Sequence, residues 1–255
     1  MMLMSDSEPS GSFPPIKPNP KATLTTILPS QIYIIDNFFT ASDLAAVRRW
    51  ALELTMEGPK KAGKGEAERT GNRTSLPSPS IASSLLPLLT PHLSHISPPY
   101  RPTSGPALLS PNIRVYHYPP STYFRGHYDM PTLDVESRRL SCWTLLIYLT
   151  EDVQGGGTSF YPHPNPTTNS SSRGKGGGKK AAGSAGGGGG GGGGTALTGG
   201  KKGKVTGSEG KITVEPKAGR ALLHWHGMSG GGCMKHEGDE VISGDKWVLR
   251  TDVLG

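Results

Sequence analysis

Nine consecutive glycines, Gly186 to Gly194, divide this 255-residue chain into a part that can pack and a part with nothing to pack. A run without side chains buries no area, and glycine loses the most backbone entropy on ordering. The stretch from about Pro164 to Gly210 is therefore expected to be a flexible insert, an expanded loop between two strands of whatever folds around it. It also carries the charge. The chain has a formal net charge of +7, which taken alone suggests an anionic partner such as nucleic acid. Yet Arg173, Lys175, Lys179, Lys180, Lys201, Lys202 and Lys204 lie in one stretch without an acid. Setting those seven aside leaves 20 of the 27 basic residues against 20 acidic ones, so the remainder is formally neutral. Nucleic acid or an acidic partner is expected only through this basic arm.

Cys142 and Cys233 form no CxxC pair and no disulfide framework, as in a chain that folds in a reducing compartment. Met1 to Pro20 has no basic stretch leading into an apolar one, and no segment approaches the roughly 18 apolar residues of a membrane span. An intracellular protein, cytoplasmic or nuclear and not membrane-bound, is the expectation.

Residues 1–28, rich in Ser, Pro and Lys, read as a disordered tail, with the folded domain over 29–255. Ile32-Tyr33-Ile34-Ile35 opens that domain as a short strand. Thr40 or Ser42 offers an N-cap, and Leu44, Val47, Ala51 and Leu54 recur at helical spacing, predicting a helix over 42–54. Residues 57–75 read as a polar loop, and Ile81 to Leu89 as a second helix that Pro87 would kink or end. From Ile113 the texture changes to short runs rich in Val, Ile, Leu, Tyr and Trp: Ile113 to Tyr118, Cys142 to Leu149, Ile212 to Val214, Ala221 to Trp225 and Lys246 to Val253. With turn residues between them, these predict an antiparallel sandwich or jelly roll flanked by N-terminal helices.

Within that frame the eight histidines need partners at useful spacing. His127 and Asp129 lie two apart, so on an extended chain both side chains reach the same face. His224 and His226 are also two apart, but Gly227 to Gly232 supplies no carboxylate to complete a set, and the pair loses ground. His236, after the glycine turn Gly230-Gly231-Gly232, stands where a distant strand would return a third ligand to His127 and Asp129. Two imidazoles and a carboxylate can hold one face of an Fe(II) octahedron and leave three positions open. In the last strand Lys246, Val248 and Arg250 share a face. Two cations on one side of an apolar strand call for an anion, either a dicarboxylate co-substrate or the neighbouring Asp245 and Asp252.

Several segments, taken in order, resemble the prolyl 4-hydroxylase-like branch of the 2-oxoglutarate and Fe(II)-dependent dioxygenases. They are Arg114 to Tyr118, Tyr123-Phe124, His127-Tyr128-Asp129, Gly155 to Phe160, Pro216 to Leu223, His236-Glu237-Gly238 and Gly244 to Trp247, within residues 30–255. The resemblance implies an α+β, mainly β fold with a double-stranded β-helix (jelly roll) core. It implies His127, Asp129 and His236 as iron ligands, and Lys246 as the anchor of the distal carboxylate of 2-oxoglutarate, with Tyr118 and Thr158 as hydrogen-bond partners; Arg250 competes with Lys246 for that role. It implies hydroxylation of a C–H bond with O2, giving succinate and CO2, with ascorbate dependence as in relatives. Asp129 stands where halogenating relatives have a small residue. A prolyl residue of a peptide or protein is the leading substrate by analogy, with a small molecule also open, and Asn72 and Arg73 are candidates to touch it. Two other classes fit the same residues: a non-catalytic protein holding Zn through the triad, and an interaction protein working through the basic Gly/Lys arm.

Overall fold

The computed structural model describes residues 12–96, 106–162, 210–227 and 232–255. The Gly-rich insert, apart from Gly210, lies outside the described residues. In chain order come strands β1 (Thr23–Leu28) and β2 (Ile32–Asp36), helix α1 (Ala41–Leu52), strand β3 (Asn72–Pro77) and helix α2 (Pro79–Leu93). Then follow β4 (Leu108–Leu109), β5 (Asn112–Tyr118), β6 (Phe124–His127), β7 (Leu133–Asp134), β8 (Arg139–Tyr148), β9 (Gln154–Gly155) and β10 (Thr158–Tyr161). The chain closes with β11 (Ile212–Val214), β12 (Ala221–Trp225), β13 (Lys235–Gly238), β14 (Val241–Ser243) and β15 (Lys246–Leu254).

A major antiparallel sheet runs β1-β2-β12-β8-β15-β5-β3, and a minor one runs β11-β10-β13-β6. Two-residue alternation along the central strands sorts their side chains into two cores. Ala221, Leu223, Trp247, Leu249 and Val253 face outward to Val47, Trp50, Leu85 and Leu89 of the helices. Leu222, Tyr148, Tyr118 and Val248 face inward, where they meet Phe160 and Val214 of the minor sheet. The result is helices on one face of a two-sheet sandwich, the jelly roll expected from the sequence.

Helix α1 begins where its cap predicts: Thr40 Oγ1 accepts the Asp43 amide at 3.1 Å. Helix α2 differs from expectation, running on through Pro87 and Pro91. An interior proline costs about 3 kcal/mol. However, α2 buries Ile81, Leu85, Leu88, Leu89 and Leu93 on one face, each contributing about 1.5–3 kcal/mol, and packing prevails. Two further expectations are corrected. Thr23–Leu28, placed in the tail, pairs with β2 from Thr23↔Asp36 to Leu28↔Ile32. Ahead of it Phe13 packs edge-on against Trp50 at 4.9 Å, so the ordered domain begins well before residue 29. The polar loop ends at Gly71, because Asn72 to Pro77 pair with β5 as a sheet edge. Both cysteines are free thiols. Among the described residues no helix is long and apolar enough to cross a membrane.

Candidate metal and dicarboxylate site

The register of the minor sheet sets His127, at the end of β6, directly opposite His236 on β13. Their rings lie 4.3 Å apart. Each ring is oriented in the same way: Nδ1 of His127 donates to the Arg125 carbonyl at 2.8 Å, and Nδ1 of His236 to the Met234 carbonyl at 3.0 Å. A carbonyl only accepts, so the proton sits on Nδ1 and the Nε2 lone pair is left for an ion. Burial, reinforced by the neighbouring imidazole, brings the His127 pKa down to about 4, and burial lowers that of His236, so both rings are neutral ligands at pH 7. Nε2 of His127 lies 3.8 Å from Asp129 Oδ1, and Nε2 of His236 lies 3.7 Å from Oδ2. The three donor atoms fall within 4.8 Å of one another. This donor set, with both imidazoles oriented by backbone acceptors, fits Fe(II) with open positions.

Asp129 is the most heavily partnered group in the site. Arg250 Nη1 reaches Oδ1 at 3.2 Å, Arg250 Nη2 reaches Oδ2 at 3.0 Å, and the Thr144 hydroxyl donates to Oδ2 at 2.7 Å. Burial alone would raise this carboxyl pKa, but Arg250 and the three surrounding imidazoles hold it well below the usual carboxylate range. Thr144 in turn accepts from His226 Nδ1 at 2.9 Å, and His226 Nε2 accepts from Ser141 at 3.0 Å. His226 is thereby tied into the wall. His224, set aside with it on sequence grounds, is in the site: its Nε2 lies 3.5 Å from Asp129 Oδ2 and its ring 4.5 Å from that of His236. The signal for it is the alternation along β12, which puts His224 on the inward face with Leu222.

Lys246, Val248 and Arg250 do share a face, and all three line the same pocket as the triad. The two cations differ in their partners. Arg250 is taken by Asp129 and, at 3.3 Å, by Asp252, while Asp245 pairs with His117 at 2.7 Å. Lys246 is 4% exposed, and among the described residues no carboxylate lies within 4 Å of its ammonium. Burial lowers its pKa to about 8. Its Nζ sits 5.3 Å from the Tyr118 ring and 5.7 Å from the Tyr148 ring. Thr158 also lines the pocket, with its hydroxyl 2.8 Å from that of Tyr148. Tyr148, missed in the sequence, sits on the inward parity of β8 with Thr144 and Leu146. Asn72 faces His117 on the sheet edge, and Arg73 lines a trough outside the pocket.

No protein-family model matches the chain, and no curated protein matches it. Its fold is similar to solved prolyl hydroxylases. One from Trichoplax adhaerens, in complex with a hypoxia inducible factor oxygen degradation domain peptide fragment, aligns with a TM-score of 0.53 at 15% identity, over 88% of this chain and 84% of that one. The viral collagen prolyl hydroxylase of Paramecium Bursaria Chlorella virus-1 gives 0.49 at 16% identity, over 88% of this chain and 96% of its own. A Pseudomonas putida prolyl-4-hydroxylase gives 0.47 at 14%, over 88% and 92%. At these identities the likeness is one of fold, and the Trichoplax protein carries it.

Proposed function

We propose that this chain is an Fe(II)- and 2-oxoglutarate-dependent dioxygenase that hydroxylates a C–H bond, with a prolyl residue of a peptide as the leading substrate. The observation that carries this reading is one pocket with two complementary ends. At one end two neutral imidazoles and a carboxylate converge; at the other is a buried ammonium with no carboxylate within 4 Å among the described residues. A buried charge without a partner is costly, so the Lys246 end is built to receive an anion. The distal carboxylate of 2-oxoglutarate fits there, with the Tyr118, Tyr148 and Thr158 hydroxyls close by. When bound, Fe(II) and the keto acid supply O2 activation, with succinate and CO2 as products. His127, Asp129 and His236 hold the ion, and Arg250 keeps Asp129 ionised and fixed in rotation rather than binding the co-substrate. The apolar walls at Phe124, Leu146 and Val248 limit stray water. The prolyl assignment leans on the fold shared with the Trichoplax enzyme and is analogy.

Succinate formation by the purified protein with Fe(II), 2-oxoglutarate and O2 tests this reading. Turnover is expected in the wild type and not in His127→Ala; equal rates in the two would end it. One observation favours a second reading, a non-catalytic metal-binding protein. Donor atoms of His224, Cys233 and His236 also lie within 4.8 Å of one another, a softer set that suits Zn. Tight Zn binding lost in Cys233→Ser, together with no succinate, would select it.

A further inference from the structure

We infer, on the basis of the oxygenase reading, that the substrate is an acidic peptide segment bound in a cationic trough outside the metal pocket. The trough encloses about 930 Å3, and its walls include Phe124 and His127, which also line the inner pocket, so whatever fills it lies against the proposed iron. Its charge is one-sided. Lys60, Lys61, Arg69, Arg73 and Lys235 line it, brought together from the 57–71 loop, β3 and β13. Lys60 pairs with Glu57 at 3.2 Å, but among the described residues no carboxylate lies within 4 Å of the other four. Glu66, the one acid in the lining, accepts the Gly63 amide at 2.9 Å. Glu237, beside Lys235, accepts the Tyr161 hydroxyl and lies 3.6 Å from Lys211. General basicity does not explain the cluster, since the chain outside Arg173–Lys204 is formally neutral. Unneutralised cations gathered in a cleft focus the field and select anions.

A peptide suits this trough better than a nucleic acid. Single-stranded nucleic acid is held on rows of free aromatic faces. Here Phe124 stacks on His127 at 3.8 Å, which leaves Tyr128, 53% exposed, as the one free ring among the lining residues. A row of cations with a single free ring among them matches an acidic peptide segment.

The test uses the full chain and three labelled peptides of equal length, each with a central proline flanked by Glu, Gln or Lys, with binding read by fluorescence anisotropy. The Glu peptide is expected to bind roughly tenfold or more tighter than the Gln peptide, as a few partly exposed ion pairs allow, and the Lys peptide weakest. Lys61→Glu/Arg73→Glu/Lys235→Glu should abolish the preference. Lys61→Gln/Lys235→Gln, which changes only exposed side chains, should reduce it. Both variants keep all seven cations of the insert, so a preference that survives undiminished in both does not depend on the trough cations Lys61, Arg73 and Lys235 and overturns the assignment, as does equal binding of the three peptides. A single-stranded oligonucleotide that binds more tightly than the Glu peptide, and loses binding in the same variants, overturns the peptide class. Succinate formation by the wild type without any peptide reports on the oxygenase reading separately. If it is present while the Glu peptide shows no preference, only the substrate class fails.

Discussion

Arg250 grips Asp129 at both carboxylate oxygens, Nη1 to Oδ1 at 3.2 Å and Nη2 to Oδ2 at 3.0 Å, inside a pocket where neither side chain meets much water. The proposed metal ligand is thus an oriented anion before any ion arrives. Removing one member of such a buried pair leaves an uncompensated charge and costs about 3–5 kcal/mol. Arg250→Leu is accordingly expected to lower the unfolding free energy by about 3 kcal/mol without metal. Fe(II), added anaerobically, should stabilise the variant more than the wild type, because the ion replaces the missing cation. Equal increments in thermal unfolding would exclude this role.

Lys246→Met should separate co-substrate binding from folding. Among the described residues the ammonium has no carboxylate within 4 Å, so its loss is expected to leave thermal stability unchanged or raised. A buried pair with the distal carboxylate would be lost, and the KM for 2-oxoglutarate should rise about 100-fold. A KM near wild type would mean that another group anchors the carboxylate.

The same lysine makes stability depend on pH in alkali. Its folded pKa of about 8 lies below the unfolded value of about 10.4, so between these the unfolded chain binds more protons and stability rises with pH. Bound 2-oxoglutarate pairs the ammonium and should flatten that rise, while its KM climbs as pH passes through about 8. Thermal unfolding from pH 7 to pH 10, with and without 2-oxoglutarate, reads both effects, and Lys246→Met should lack this contribution.

Gly71 is fixed by Tyr118. A Cβ there would stand 2.3 Å from Cδ1 and 2.5 Å from Cε1 of that ring, so Gly71→Ala must push the ring within its pocket or move the strand. A loss of about 1–3 kcal/mol is expected from overpacking, with a higher KM for 2-oxoglutarate. Trimming the ring in Gly71→Ala/Tyr118→Leu should recover stability. A double variant no more stable than Gly71→Ala would place the strain elsewhere.

Strands at the centre of the major sheet are legible in the sequence because they are buried on both faces. β12 and β15 need mostly apolar sequences, and Ala221–Trp225 and Lys246–Leu254 have them apart from His224, Lys246, Arg250, Thr251 and Asp252. Edge strands carry no such demand: β1 reads TLTTIL and β3 reads NRTSLP, half exposed and polar enough to pass for tail and loop. The triad is visible through spacing and resemblance. His224 is obscured by a search for a carboxylate downstream of it, when the acid beside it is Asp129, across the sandwich. Alternation puts Lys246 and Arg250 on one face, but only the tertiary placement of Asp129 and Asp252 distinguishes the cation already neutralised from the one left free.

The pairing of β10 with β11 has an architectural consequence. Thr158, Ser159 and Phe160 face Val214, Thr213 and Ile212, and the Ser159 and Thr213 hydroxyls meet at 2.8 Å. Residues 163–209 therefore enter and leave the domain through neighbouring strands of one hairpin. Closure entropy grows only logarithmically with the length enclosed, by about 0.6 kcal/mol per doubling. The hairpin acts as a port: a foreign sequence could be exchanged between Tyr161 and Lys211 while Thr158, two pairs further in, keeps its place beside the pocket.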